Sequence, residues 1–285
     1  MKNKGVIFFT ICILFFTMAC DKDRIQYHLP QIWAAPMEYD DSGAKKSLNV
    51  AAVSFDVDLS KDVNLHKVVV FIDKIKAEQP DIRLILFPEI TLGYYYEKSN
   101  PSEYQKSIAE TIPGETTNIL VQKAIEHEIY ISLGMAEKSG EEIYNSQVLI
   151  SPDGEIKSVY RKYYLTEQDK KSGFKAGSDF VVDVIDNIKV VTIICNDMNS
   201  MTVNKKIHEL GAELILLPMA NGENPYSAFL PYYQSVYAWV LMGNRIGKEN
   251  DIKYDGLLFI SSPGGTPIEK STEKEGYIYG VVKCW

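Results

Sequence analysis

Short runs of branched apolar residues alternate along this chain with longer stretches in which apolar positions recur every three or four residues. Leu48 to Phe55, Leu84 to Phe87, Ile129 to Ala136, Tyr144 to Ile150, Val190 to Ile194, Leu214 to Leu217 and Tyr277 to Lys283 read as strands. Leu65, Val68, Val69, Ile72 and Ile75 fall at helical spacing. So do Leu120, Val121, Ala124 and Ile125 after Pro113-Gly114, and Val203, Ile207 and Leu210. A hairpin is predicted where Val148 to Ser151 meets Glu155 to Tyr160 across Pro152-Asp153-Gly154. No repeat of fixed period is present, and the alternation predicts one layered α/β domain over residues 48–285.

Ahead of that domain the pattern changes. Met1 to Ala19 carries Lys2 and Lys4 before an apolar core from Val6 to Phe16, a secretory signal by charge and length and too short for a comfortable membrane span. Thr17-Met18-Ala19-Cys20 resembles a bacterial lipoprotein cleavage box, which would make Cys20 the lipid-bearing first residue. Thr17 stands where leucine is usual, so ordinary cleavage or an uncleaved anchor stays open. The expectation is a membrane-anchored lipoprotein of the cell envelope, facing the periplasm or the exterior. Residues 20–47 are polar, with Pro30 and Pro36 and no sustained periodicity, and read as a tether, although Ile32-Trp33 could pack on the domain.

Composition narrows the chemistry. A hydrophobic fraction of 46% can fill a sizeable core, and a net charge of -8 without a basic stripe argues against a nucleic-acid partner. Of four cysteines, Cys12 and Cys20 belong to the N-terminal segment, and the remaining Cys195 and Cys284 make no disulfide framework. The four histidines show no HExxH spacing and no pairing with cysteine, so neither a metal site nor a cofactor is expected. Gly264-Gly265 lacks the Lys-Ser or Lys-Thr that a phosphate cradle requires.

Three residues sit where strands should end, the place at which open α/β sheets bind ligands. They are Glu89 after Leu84 to Pro88, Lys162 after the predicted hairpin, and Cys195 after Val190 to Ile194. Singly, Glu89 and Lys162 read as solvated charges and Cys195 as inert packing. His208, on the helix after Cys195, offers a Cys-His dyad as the competing arrangement.

The order Glu, Lys, Cys, each with its strand-end flank, resembles the nitrilase superfamily of carbon-nitrogen hydrolases. Further matching segments are Gly93-Tyr94, Ile112-Pro113-Gly114, Gly134 with Glu137, Tyr144-Asn145-Ser146, Ser151-Pro152-Asp153-Gly154, Tyr160-Arg161-Lys162, Gly211 to Pro218 and Asn244-Arg245-Ile246-Gly247. The resemblance implies an α-β-β-α sandwich and no cofactor. It also implies a small-molecule amide substrate. Glu89 would be the general base and Cys195 the nucleophile that forms a thioester, with Lys162 and the backbone N-H of Asn196 receiving the oxyanion. Family enzymes carry a second acid after the lysine. Glu167 is the only glutamate in the loop from Thr166 to Gly177 and is the candidate, with Glu137 holding a comparable claim. Tyr94, Tyr95 and Tyr96 form either a packed aromatic corner or the wall of the substrate pocket, with Tyr94 and Tyr95 as the pocket candidates.

Departures limit the transfer. Asn199 to Thr202 stand where the family shows arginine and then Phe-Pro-Glu, and Gln234-Ser235 lie near its glutamate-asparagine pair. Cys195-Asn196-Asp197 lacks the Trp-Glu of typical nitrilases, which favours linear amides or carbamoyl compounds over nitriles. Acyl transfer to an amine through the same thioester, and an inactive ligand-binding lipoprotein, are the alternatives. A homodimer is left open by the short C-terminus.

Overall fold

The computed structural model describes residues 39–222, 238–271 and 274–285. The predicted signal segment, Cys20, most of the tether, and Gln234 and Ser235 lie outside the described residues.

The first half alternates as its pattern predicts. Strand β1 (Lys46–Asp56) leads into helix α1 (Lys61–Glu78), whose Ser60 accepts a hydrogen bond from Val63 N and whose Leu65, Val68, Ile72 and Ile75 are buried. After β2 (Leu84–Leu86) come α2 (Pro101–Ile108) and α3 (Glu115–His127), then β3 (Tyr130–Ser139), β4 (Glu142–Ile150) and β5 (Ile156–Arg161). β3, β4 and β5 pair antiparallel in succession, so the hairpin across Pro152-Asp153-Gly154 forms as expected. The stretch from Thr166 to Gly177 is not plain loop. It holds a short helix α4 (Glu167–Lys171), capped by the Thr166 side chain accepting from Asp169 N, and a two-residue strand β6 (Phe174–Lys175).

The second half opens with β7 (Val182–Ile185) and β8 (Ile188–Thr192). β8 ends before Cys195, which instead starts a 3-10 turn, Cys195–Asn199, leading into α5 (Met201–Leu210). There follow β9 (Leu214–Pro218), β10 (Trp239–Glu249), β11 (Ile252–Asp255), β12 (Leu258–Ser261), β13 (Pro267–Ser271) and β14 (Gly276–Cys284). Gly264 and Gly265 lie in the turn between β12 and β13, both N-H groups donating to Ser262 O at 3.0 Å.

Pairing runs β5-β4-β3-β2-β1-β10-β9-β8-β7 among the described residues, with β14 antiparallel on β1. This path folds on itself into two layers. Val50, Ala52, Leu84 and Leu86 of one layer pack against Val190, Leu214, Leu216 and Leu241 of the other. On the outer faces, α1 and α3 cover Ile85, Ile131 and Leu133, while α5 covers Val191, Ile215 and Leu217. The result is the α-β-β-α sandwich, a single domain, that the resemblance implies. Its strands at the layer junction are apolar on both faces, because one face meets a helix and the other meets the opposite sheet.

The domain begins earlier than Leu48. Tyr39 packs edge-on against Trp239 at 5.5 Å and donates its hydroxyl to Lys283 O at 3.1 Å, and Asp41 pairs with Lys283. Of the residues read as tether, Lys46 and Ser47 therefore belong to β1 and residues 39–45 lie beside the end of β14.

Two glycines separate close approach from backbone conformation. A Cβ on Gly134 would lie 2.3 Å from Pro88 O and 2.8 Å from Glu89 Cα, so β3 can pass under the turn after β2 only without a side chain there. Gly140 has φ 62° and open space around it. Gly134→Ala is expected to cost about 1–3 kcal/mol through overpacking, against about 1 kcal/mol for Gly140→Ala. Urea unfolding of the two variants checks the order.

Candidate functional site

Glu89, Lys162 and Cys195 each follow the carboxyl end of a strand, β2, β5 and β8 respectively. Phe87 N still donates to Ser132 O at 2.8 Å, but Pro88 ends the ladder, and Thr91 Oγ1 donates to Pro88 O at 2.7 Å to close a turn around the carboxylate. Lys162 is held by its own backbone, its N-H donating to Asn145 O and its carbonyl accepting from Gly177 N, both at 2.9 Å. Ile193 N pairs with Leu216 O at 3.0 Å, the last sheet bond before the turn that carries Cys195.

At the centre lies a closed ring of four buried side chains. Lys162 Nζ donates to Glu89 Oε1 at 2.6 Å and to Asp169 Oδ2 at 2.8 Å. Asn145 Nδ2 reaches the same two carboxylates, Glu89 Oε1 at 2.7 Å and Asp169 Oδ1 at 3.0 Å. Glu89, Lys162, Asp169 and Asn145 are all fully buried. The other Glu89 oxygen, Oε2, accepts from Ala220 N at 2.9 Å.

Burial opposes the charge on Lys162, but the fields of Glu89, Tyr95 and Asp169 outweigh it and hold the ammonium well above its ordinary range. Burial likewise raises Asp169, yet the field and hydrogen bond of Lys162, the bond from Asn145 and that from Thr166 N bring it below the usual carboxylate value. The Cys195 thiol is pushed up, first by burial and then by the charge of Glu89, while Lys162 and the Ala220 N-H act against the rise. Thiol, carboxylate and ammonium thus share one field.

Two supports hold the reactive groups in unusual backbone conformations. Cys195 has φ 46° and the buried Ile90 has φ 45°, both in the left-handed region that branched or bulky residues avoid. Asp197 anchors the first. It is fully buried and accepts from Ile194 N at 2.9 Å, Tyr164 N at 2.6 Å and the Tyr160 hydroxyl at 2.8 Å. Burial raises its pKa to about 6 against those bonds. Asp197 ties the turn that carries Cys195 to residues on either side of Lys162. Arg245 and Glu249 anchor the second. Arg245 donates from Nε to Glu89 O at 3.0 Å and from Nη2 to Ile90 O and, at 2.7 Å, to Gly93 O. It also pairs with Glu249, whose Oε2 accepts from Tyr95 N and Tyr96 N, both at 2.9 Å, and from the Tyr254 hydroxyl at 3.0 Å.

Several expected residues fall elsewhere. Glu167 is exposed and pairs with Lys170 on the surface of α4, so the acid that meets Lys162 is Asp169, one turn position further along. Glu137 binds Arg161 and Ser146 and contacts none of the three reactive groups. It lines a cleft of about 360 Å³ with Tyr144, Arg161 and Asp179, on the opposite face of β5 from Tyr160 and Lys162. Tyr94 packs against the outer helix-sheet core, its N-H bonded to the Tyr104 hydroxyl at 2.8 Å. Tyr95 is at the site, its hydroxyl 3.5 Å from Lys162 Nζ and 2.8 Å from Thr166 Oγ1. Tyr96, the third residue of the expected aromatic corner, packs edge-on against Tyr95 at 4.9 Å. Its phenol is raised to about 12 by burial and then by the charges of Cys195 and Glu89. Asn196 directly follows Cys195, with its side chain bonded to Tyr164 O at 3.2 Å. His208 is exposed on α5, and Cys284 is buried at the end of β14.

Comparisons with known proteins agree with this architecture. The model of the carbon-nitrogen hydrolase family matches residues 49–280. A probable nitrilase of Schizosaccharomyces pombe is 32% identical over 225 residues, 75% of this chain and 80% of that protein. A citrullinase of Francisella tularensis is 30% identical over 249 residues, 79% of this chain and 85% of that protein. Among solved structures, Nit3 of Saccharomyces cerevisiae, a nitrilase-superfamily member, superposes with a TM-score of 0.74 at 20% identity, over 84% of this chain and 91% of that one.

The ring makes a prediction about acid stability. Because Asp169 is depressed below its ordinary 3.8, its contribution is present above pH 3.8 and is lost as pH falls through the lower folded value. Asp169→Asn leaves Lys162 under-compensated and is expected to cost about 3–5 kcal/mol near neutrality. The gap to the unsubstituted protein should close below pH 3.8, as read from urea unfolding across a pH series.

Proposed function

This chain belongs to the carbon-nitrogen hydrolase family, as an amidase-type enzyme of the nitrilase superfamily, and from that premise we propose that Glu89, Lys162 and Cys195 cleave a small linear amide or carbamoyl compound. The observation that carries the reading is the buried ammonium of Lys162 bonded to Glu89 beside a thiol under the same field.

The thiol's raised pKa means that little thiolate exists at neutral pH, so attack requires a base at hand. Glu89 takes the proton as sulfur bonds to the substrate's carbonyl carbon. The C=O electron pair moves to oxygen. Lys162 has three N-H donors, of which two are engaged by carboxylates and the third has only the 3.5 Å contact to the Tyr95 hydroxyl. That third donor and the Asn196 backbone N-H receive the developing oxyanion. Collapse expels the amine, which leaves with the proton held by Glu89. Water, deprotonated by Glu89, then opens the thioester to give the acid and regenerates the thiol. Asp169 keeps Lys162 charged and in place through both halves of the cycle.

The N-terminal pattern supports attachment of this enzyme to a membrane through a lipid on Cys20, and no helix among the described residues is long and apolar enough to cross one. Cys20→Ser should shift the protein from the detergent phase to the aqueous phase in Triton X-114 partition.

Ammonia release from a panel of linear amides tests the reaction. Cys195→Ala should abolish turnover and Lys162→Gln should lower kcat about 10²–10³-fold, the usual effect of losing one oxyanion donor. Intact mass spectrometry of Glu89→Gln after exposure to a reactive amide should find the adduct confined to Cys195. Ammonia release unaffected by Cys195→Ala would sink the reading.

A further inference from the structure

Resting on the amide-cleaving reading above, we propose that the site accepts amides whose far end is uncharged or carries an ammonium, and rejects those whose far end carries a carboxylate. The ground is the count of buried charge around the nucleophile. Glu89, Asp169, Asp197 and Glu249 are buried there against Lys162 and Arg245, so four carboxylates meet two cations. Lys162 and Arg245 are the only buried cations among the described residues.

Neither cation has a charge to spare. Arg245 is spent on Glu249 and on the carbonyls of Glu89, Ile90 and Gly93. Lys162 gives two donors to carboxylates and keeps one for the reacting oxygen. The cations nearest in sequence are engaged elsewhere. Arg161 pairs with Glu137 across β5, and Lys170 pairs with Glu167 at the surface. A carboxylate brought into this environment loses its water and finds no partner.

An ammonium meets the opposite situation. Tyr96 stands edge-on to Tyr95 at 4.9 Å and 6.5 Å from Tyr254, a run of three aromatic residues gathered around Glu249, whose Oε2 accepts from the Tyr95 and Tyr96 N-H groups and the Tyr254 hydroxyl. Lys162 Nζ already lies over the Tyr95 ring at 5.5 Å and the Arg245 guanidinium over that of Tyr254 at 5.7 Å, so Tyr96 is the ring left to meet a further cation, which the net negative charge favours.

The test uses three amides of matched length: pentanamide, 5-aminopentanamide and glutaric acid monoamide. Turnover is followed as ammonia release by the full chain, and binding is followed by calorimetry on Cys195→Ala. The monoamide is expected to bind and to react at least about 30-fold less well than the other two, the scale of one unmatched like charge at several ångströms and an effective dielectric near 20. Equal or tighter binding of the monoamide overturns the inference whether or not any amide is cleaved. Failure of all three to bind overturns it too. Binding in the expected order with no turnover leaves the charge preference standing and removes the hydrolytic reading instead.

Discussion

An ammonium enclosed in an apolar sandwich is the constraint on which the rest of this structure depends. Lys162 has no solvent exposure, and stripping water from such an ion costs several kcal/mol even after relaxation. Glu89 and Asp169 repay it only when β2, β5 and α4 are all in register, because the ring closes through one residue from each neighbourhood and through Asn145 on β4. The fold and the site are therefore not separable. A slip of β5 by one residue would exchange Lys162 for Arg161, whose side chain faces Glu137 on the other side.

The ring also explains where the chain can hold strain. Left-handed backbone at Ile90 and Cys195 costs on the order of 1–3 kcal/mol each. Each conformation sits beside a buried ionic anchor: Arg245 with Glu249 against the turn after Glu89, and Asp197 against the turn at Cys195. Arg245 and Glu249 grow from β10 and Asp197 from the turn after β8, strands whose apolar faces form the packed inter-sheet and helix-sheet cores, so the energy for holding them comes from burial elsewhere.

What could be read beforehand follows from which signals are local. Strands and amphipathic helices announce themselves by period, and an ionisable residue just past an apolar run points to a strand end, which is how Glu89, Lys162 and Cys195 were found together. Asp169 was missed because residue type was weighed above geometry. Thr166-Glu167-Gln168-Asp169 carries a capping signature that turns Asp169 back toward the helix start and leaves Glu167 outward. Arg245 and Glu249 were also legible in principle: four residues apart on a strand, they share a face, although nothing local says that face is buried. The docking of Tyr39 on Trp239 joins residues 200 positions apart and has no signature in the sequence of either.

The excess of buried carboxylate links the proposed chemistry to the proposed selectivity. Burial, and after it the charge of Glu89, raises the thiol's pKa and so reduces the fraction of thiolate at rest. Thiolate nucleophilicity, however, rises with the basicity of the sulfur, so a suppressed thiol with a base in place yields a stronger attacking group than an acidic thiol that is always ionised. Such a site needs its proton acceptor and its oxyanion cation together, since either alone leaves charge uncompensated in a dry cavity. In the proposed mechanism Lys162 would serve both: it would hold Glu89 ready for the proton and keep one donor for the oxygen that becomes negative. On the proposal made above, the same imbalance would make a second anion, brought in by the substrate, the least tolerable passenger.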